Sequence, residues 1–146
     1  MGTFTVFNQF MLKQHNGNAI DLDTATIKVM ITTSAYTPSQ AHAFKSDVTN
    51  EVSGTNYTAR GTAISGVTCA LDGNVVEWIH ADIVWAQNAG GFSNGRTYVW
   101  YEDTGVDGTS KLIGYMTEGA DFGNVSGPLT LDIAAATGAL NISRTP

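Results

Sequence analysis

Gly91-Phe-Ser-Asn-Gly95 sets a serine between glycines in the G-x-S-x-G spacing of a hydrolase nucleophile elbow. That chemistry needs a buried strand before the serine and a helix after it, so that the hydroxyl stands on a strained turn. Here the polar run Ala86-Gln-Asn-Ala-Gly90 precedes it and the strand-like Thr97-Tyr-Val-Trp-Tyr101 follows. The usual order also needs a histidine after the serine, and none follows His80. The run therefore reads as a glycine-rich loop. Asp103-Thr-Gly-Val-Asp-Gly108 has the outline of a calcium loop, but its third position carries no ligand and Gly114 stands where a bidentate Glu belongs. Asp21-x-Asp23 fails in the same way, with Ala25 and Thr32 at later ligand places. Turn chemistry accounts for both. His80 and Asp82 share a strand face and would hold a metal only with a third ligand from elsewhere; a surface pair is the plainer reading. Trp78 and Trp85 have the makings of a sugar-stacking platform, although aromatic residues on strands more often fill a core or an interface. No catalytic group, metal or cofactor is expected, and an enzyme is the least supported class.

These residues depend on strands for their placement. Ile27, Val29 and Ile31 alternate with Lys28, Met30 and Thr32, the period-two pattern of a half-buried strand. Similar alternation predicts strands near Thr58–Ser65, Gly66–Leu71, Val75–Ile79, Ile83–Trp85, Thr97–Tyr101, Leu112–Thr117, Leu129–Ile133 and Ala139–Ser143. Asp72-Gly-Asn74 is a good hairpin turn, because Asp and Gly tolerate positive φ. Pro38 biases Thr37 away from helix. Ser39 then predicts a cap for a short helix over Gln40–Asn50, with Ala41, Phe44 and Val48 facing inward. Ala134–Gly138 is long enough for one helical turn at most. Closely spaced strands with Gly-rich punctuation predict an all-β single-domain sandwich, open to Greek-key or jelly-roll connectivity, with one short helix.

Five phenylalanines are candidate partner contacts. Phe4, Phe7 and Phe10 are spaced for a helical face or for an extended N-terminal arm over residues 1–16. Phe92 and Phe122 sit in the polar stretches 86–96 and 118–128. An aromatic on such a loop either anchors an interface or folds back on its own domain. Cys69 is the only cysteine, which excludes an intrachain disulfide framework. Its step with Val67 and Leu71 predicts a small buried hydrophobe.

The chain has 146 residues, enough for one domain that folds without metal or disulfide. Seven Lys+Arg stand against thirteen Asp+Glu, for a net charge of −6. The basic residues are scattered, so the clustered cationic footprint of a nucleic-acid binder is missing. The first residues lack the basic start and apolar run of a signal peptide, and no stretch reaches the roughly 18 apolar residues of a membrane span. The expectation is a protein made and kept soluble in a cytoplasm.

Asp21–Gly61 also carries a resemblance. Its Asp-rich entry, the strand ending in Thr-Thr-Ser-Ala-Tyr-Thr-Pro38 and Glu51-Val-Ser-Gly-Thr-Asn-Tyr-Thr-Ala-Arg-Gly61 resemble small all-β proteins encoded among the virion genes of tailed bacteriophages and prophages. The likeness recurs at His80-Ala-Asp-Ile-Val-Trp85, at Tyr98–Gly105 and at Leu112-Ile-Gly-Tyr115. The Ala86–Arg96 loop is longer than the pattern leads one to expect. The resemblance implies a virion structural protein, foremost a capsid decoration or cement protein. Such a protein sits on the capsid exterior, often as a trimer, and bridges capsomers by contacts with the major capsid protein and with copies of itself. A tail, neck or baseplate component is the alternative within that class, and a carbohydrate-binding module the alternative outside it.

Overall fold

The computed structural model describes residues 2–73, 75–133 and 140–143. In chain order these form β1 (Phe4–Val6), α1 (Asn8–His15), β2 (Ile27–Thr33), β3 (Thr62–Ala63), β4 (Thr68–Asp72), β5 (Val75–Ile79), β6 (Ile83–Trp85), β7 (Gly95–Glu102), β8 (Leu112–Phe122), β9 (Leu129–Leu131) and β10 (Leu140–Ser143). The class is all-β with one short helix. Five strands make a sheet in the order β1-β8-β7-β2-β3, three make β10-β5-β4, and β6 pairs with β9. Every pairing is antiparallel. Asn74, Ala139 and the expected turn at Ala134–Gly138 lie outside the described residues.

β2 is an interior strand, flanked by β7 and β3, and it is buried on both faces rather than one. Ile27, Val29 and Ile31 are at most 1% exposed, and so are Met30 and Thr32. The expected half-buried alternation fails because only Lys28 and Thr33 keep partial access to solvent. On one face the register sets Val29 beside Trp100 and Ile31 beside Tyr98, then Trp100 beside Gly114 and Tyr98 beside Met116. This row meets the smaller sheets through rings. His80 lies 6.3 Å from Trp100 and 5.9 Å from Trp78, and Trp85 stacks on Tyr98 at 6.2 Å. The buried apolar side chains form one continuous cluster.

The helix forms at the N-terminus and not after Pro38. Phe7 and Phe10 face the core, Lys13 and His15 occupy the last turn where cations suit the helix dipole, and Phe7 N–H donates to Ile113 O. Gln14 closes the following turn by accepting from Ile20 N–H at 2.7 Å and donating to Ile20 O at 3.2 Å. Residues 40–50 keep only a 3-10 turn at Lys45–Asp47. Lys45 N–H donates to Ser110 O and Leu112 N–H to Ala43 O, so the segment spends its backbone on the entrance to β8. The Asp47 carboxylate takes the N–H groups of Ala43 and Phe44 at 2.8 and 3.0 Å, fixing the tight turn.

The strand expected at Thr58–Ser65 shrinks to β3, because Asn56, Arg60 and Gly61 adopt positive φ. A Cβ at Gly61 would collide with Val29 O, so only glycine lets this turn close on β2. β8 continues to Phe122, beyond the expected end at Thr117, through the pairing of Gly95 with Phe122.

Candidate functional site

The motifs that carry the resemblance prove to be scaffold. Tyr57 donates its hydroxyl to Glu51 at 2.8 Å and accepts Ile31 N–H at 3.0 Å, tying the Glu51–Gly61 run to the middle of β2. Burial and the neighbouring Glu51 push its phenol well above the usual range. In Leu112-Ile-Gly-Tyr115, a Cβ at Gly114 would strike the Phe4 ring. Its absence lets Phe4 lie edge-on to Trp100 at 5.0 Å.

Tyr98–Gly105 ends in a charged cluster. Asp103 meets Lys28 at 2.7 Å and Arg60 at 2.6 Å, and its Oδ1 also accepts Gly105 N–H. Asp107 meets Lys45 at 3.1 Å and pairs with Arg60 as well. Partial burial pushes the Asp103 carboxyl up, but hydrogen bonds from Lys28, Arg60 and Gly105 outweigh it and hold the group well below the ordinary carboxylate range. Three of the seven basic residues are spent here, neutralising the two carboxylates a calcium loop would have used. Asp21 is spent too, on the N–H groups of Asp23 and Thr24 and on the Thr24 hydroxyl. Among the described residues no group of three or more His, Cys, Asp or Glu is placed to hold a metal.

The glycine-rich loop is organised by a residue the sequence did not single out. Asn124 is fully buried. Its Oδ1 accepts Phe92 N–H at 3.0 Å, and its Nδ2 donates to Thr55 O at 3.1 Å and Ala86 O at 2.9 Å. Its backbone N–H donates to Phe92 O, and its carbonyl accepts Asn88 N–H. One side chain thereby pins three loops that are far apart in sequence. Cβ atoms at Gly54, Gly91 and Gly123 would clash with this junction, which explains the glycines without a nucleophile elbow. Ser93 is exposed, and a strand follows it rather than a helix.

No histidine reaches Ser93. His15 bonds Met11 O, His42 bonds the Tyr36 hydroxyl, and His80 is a core residue rather than half of a surface pair. Its Nδ1–H donates to Ala81 O at 2.7 Å, leaving Nε2 to accept Trp100 Nε1–H at 3.0 Å. Burial lowers its pKa, so the ring stays neutral. Asp82, the other member of the expected pair, is exposed.

The five candidate contact phenylalanines do not share a surface. Phe7 and Phe10 are at most 1% exposed in the core, and Phe92 is 2% exposed with its ring edge-on to Tyr57. Phe4 and Phe122 are half-buried, on Trp100 and on Tyr98. Residues 1–16 are therefore no free arm over their described part, because β1 is a strand of the main sheet and α1 supplies core. The sugar platform is lost as well, since Trp78 and Trp85 are at most 2% exposed. Cys69, expected inside, is exposed on β4. Burial of part of its surroundings, with the charges of Asp23 and Asp21, raises its thiol pKa.

No family model matches the chain, and no match to it was found among curated proteins or solved structures.

Proposed function

We propose that this chain is a structural protein of a tailed-phage virion and, within that class, a capsid decoration protein. The observation that carries the reading is the ordered series of motifs from Asp21 to Tyr115 that resembles phage virion proteins. The all-β scaffold built by those motifs is compatible with it, as are loops pinned by a buried Asn124. Contacts formed only on the expanded shell stabilise that shell by mass action, because the ligand binds one state and not the other. A net charge of −6 suits an exterior position away from packaged DNA. The partners on this reading are the major capsid protein and copies of the chain itself, with a trimer as the favoured assembly.

Quantitative mass spectrometry of purified particles from the phage or prophage encoding the chain tests the reading. A copy number near that of the major capsid protein, or a simple large fraction of it, supports decoration. A handful of copies per particle moves the protein to the neck, tail or baseplate. Absence from the particle removes the virion reading altogether.

A further inference from the structure

Among the described residues the β4 edge of the β10-β5-β4 sheet has no partner strand. β4 pairs with β5 alone among them, and Thr68–Leu71 are all exposed. With five residues it offers a longer free edge than β1, with three, or β3, with two. Sheets usually guard such an edge with Lys, Pro or a bulge. Thr68-Cys-Ala-Leu-Asp72 has no Lys or Pro, and its register with β5 is unbroken.

Apolar surface lies beside that edge. Cross-strand pairing puts Cys69 opposite Trp78 and Leu71 opposite Val76, so all four share one face. Leu71 is 71% exposed, Val76 39%, and Met11 of α1 37%. Phe10, Met11, Leu22, Cys69, Val76 and Trp78 line a groove of about 170 Å³. That is close to the roughly 150 Å³ of a cavity that accommodates benzene, and so it suits one aliphatic side chain.

The charge beside the groove selects the occupant. Leu22 stands between Asp21 and Asp23, both exposed, and Trp78 Nε1–H fixes this segment by donating to Leu22 O at 3.2 Å. Gln14 and His15 complete the lining, and among the described residues no Lys or Arg joins them. Lys13, on the same helix as Met11, turns away to Ala43 O and the Phe44 ring. A second copy would bring a further −6 and the same two carboxylates to the contact, which opposes self-pairing.

We propose that the β4 edge and the adjoining groove dock an extended, basic segment of another protein, with an aliphatic side chain in the groove and Lys or Arg beside Asp21 and Asp23. Main-chain bonds along β4 supply affinity, and the groove with its acidic rim supplies specificity. The inference does not depend on the virion reading.

The test is an NMR titration of the 15N-labelled full chain with a capped peptide of alternating Lys and Leu, and with its Glu/Leu counterpart. The expected result is saturable shifts confined to β4, β5 and α1, with the Glu/Leu peptide at least tenfold weaker. The substitution Asp23→Asn, which leaves the Asp21 bonds to the Thr24 turn intact, should weaken the Lys/Leu peptide severalfold without changing Tm. Met11→Lys, on the exposed side of α1, should weaken it too. Equal binding of both peptides, shifts elsewhere or no binding would overturn the proposal. So would a concentration-dependent dimer in sedimentation that protects the β4 amides, because the occupant would then be a second copy.

Discussion

Trp100 Nε1–H points at His80 Nε2 across 3.0 Å in the core, and that bond sets the protonation state of the histidine. An acceptor nitrogen carries no proton, so His80 holds its single proton on Nδ1, donated to Ala81 O. Charging the ring would turn the acceptor into a donor facing a donor. Burial places the folded pKa below the unfolded value of about 6.5, and the Trp100 bond acts in the same direction. Between the two values the unfolded chain binds more protons, and stability rises with pH there. The contribution is complete above about pH 7 and is lost as pH falls through 6.5 toward the folded pKa. Urea midpoints measured across that window should show the slope, and His80→Gln, which keeps an acceptor for Trp100 but does not titrate, should flatten it. His80→Ala should cost about 2–4 kcal/mol, from the cavity and the orphaned indole N–H. A slope unchanged in His80→Gln would assign it to another group.

Asn124→Ala should be among the most damaging single changes outside the apolar core. It strands Phe92 N–H, Thr55 O and Ala86 O together. At about 1–3 kcal/mol for each buried group left without a partner, with water entering to reduce the sum, the loss should exceed about 2 kcal/mol. Asn124→Asp should be no better, because a carboxylate would face the carbonyls of Thr55 and Ala86. Hydrogen exchange gives the local readout. The Phe92 amide should lose protection in both variants, while β2 amides follow only the global change.

What the sequence made legible follows from how local each signal is. The strands at Val75–Ile79 and Ile83–Trp85 match expectation residue for residue, because alternation and an Asp-Gly turn are local. His80 could also have been read inward, since it lies in step with Trp78, yet the acidic neighbour Asp82 suggested a surface pair. β8 ran past its expected end because Glu118–Asp121 lacks an apolar rhythm; Arg96 holds that extension through Asp121 at 2.7 Å. The Phe4, Phe7 and Phe10 spacing looked like one element, but Phe4 lies in β1, Phe7 is the N-cap of α1 and Phe10 lies within α1. Asn124 carried no sequence signal. A lone Asn in a polar stretch is ordinary, and its partners stand 32, 38 and 69 residues away.

The charged cluster should be asymmetric. Asp103 is 10% exposed and bridges Lys28 and Arg60, whereas the Asp107 side chain is 45% exposed. Asp103→Asn should therefore cost about 1–3 kcal/mol, the range for a charge-assisted bond removed from a shielded site. Asp107→Asn should cost less than about 1 kcal/mol, as solvent-screened pairs do. The folded Asp103 carboxyl lies below the unfolded value of about 3.9. Its stabilisation is complete above that value and is lost as pH falls below it toward the folded pKa. Acid unfolding of Asp103→Asn should thus show a smaller pH dependence below pH 4 than the parent. Equal losses in the two variants would mean that the pairs act only as surface charges.

Deleting the residues before Lys13 separates an arm from a structural element. A free arm could be removed while the β domain stays folded. Here the deletion takes β1 from the edge of the main sheet, Phe4 from Trp100, and the buried Phe7 and Phe10 from the core. Full burial of a phenylalanine contributes roughly 1.5–3 kcal/mol, so these two alone approach the 5–15 kcal/mol that holds a domain together. The truncated chain should lose its near-UV circular dichroism and its cooperative thermal transition. A cooperative transition retained near the parent Tm would restore the arm. With the fold lost, failure of the truncation to bind a shell would say nothing about where the contact lies. The informative changes are on the outside of the same helix, where Met11 is 37% and Leu12 54% exposed. Met11→Lys and Leu12→Lys should leave Tm within about 1 kcal/mol equivalent of the parent, so any loss of partner binding in them reports the surface itself.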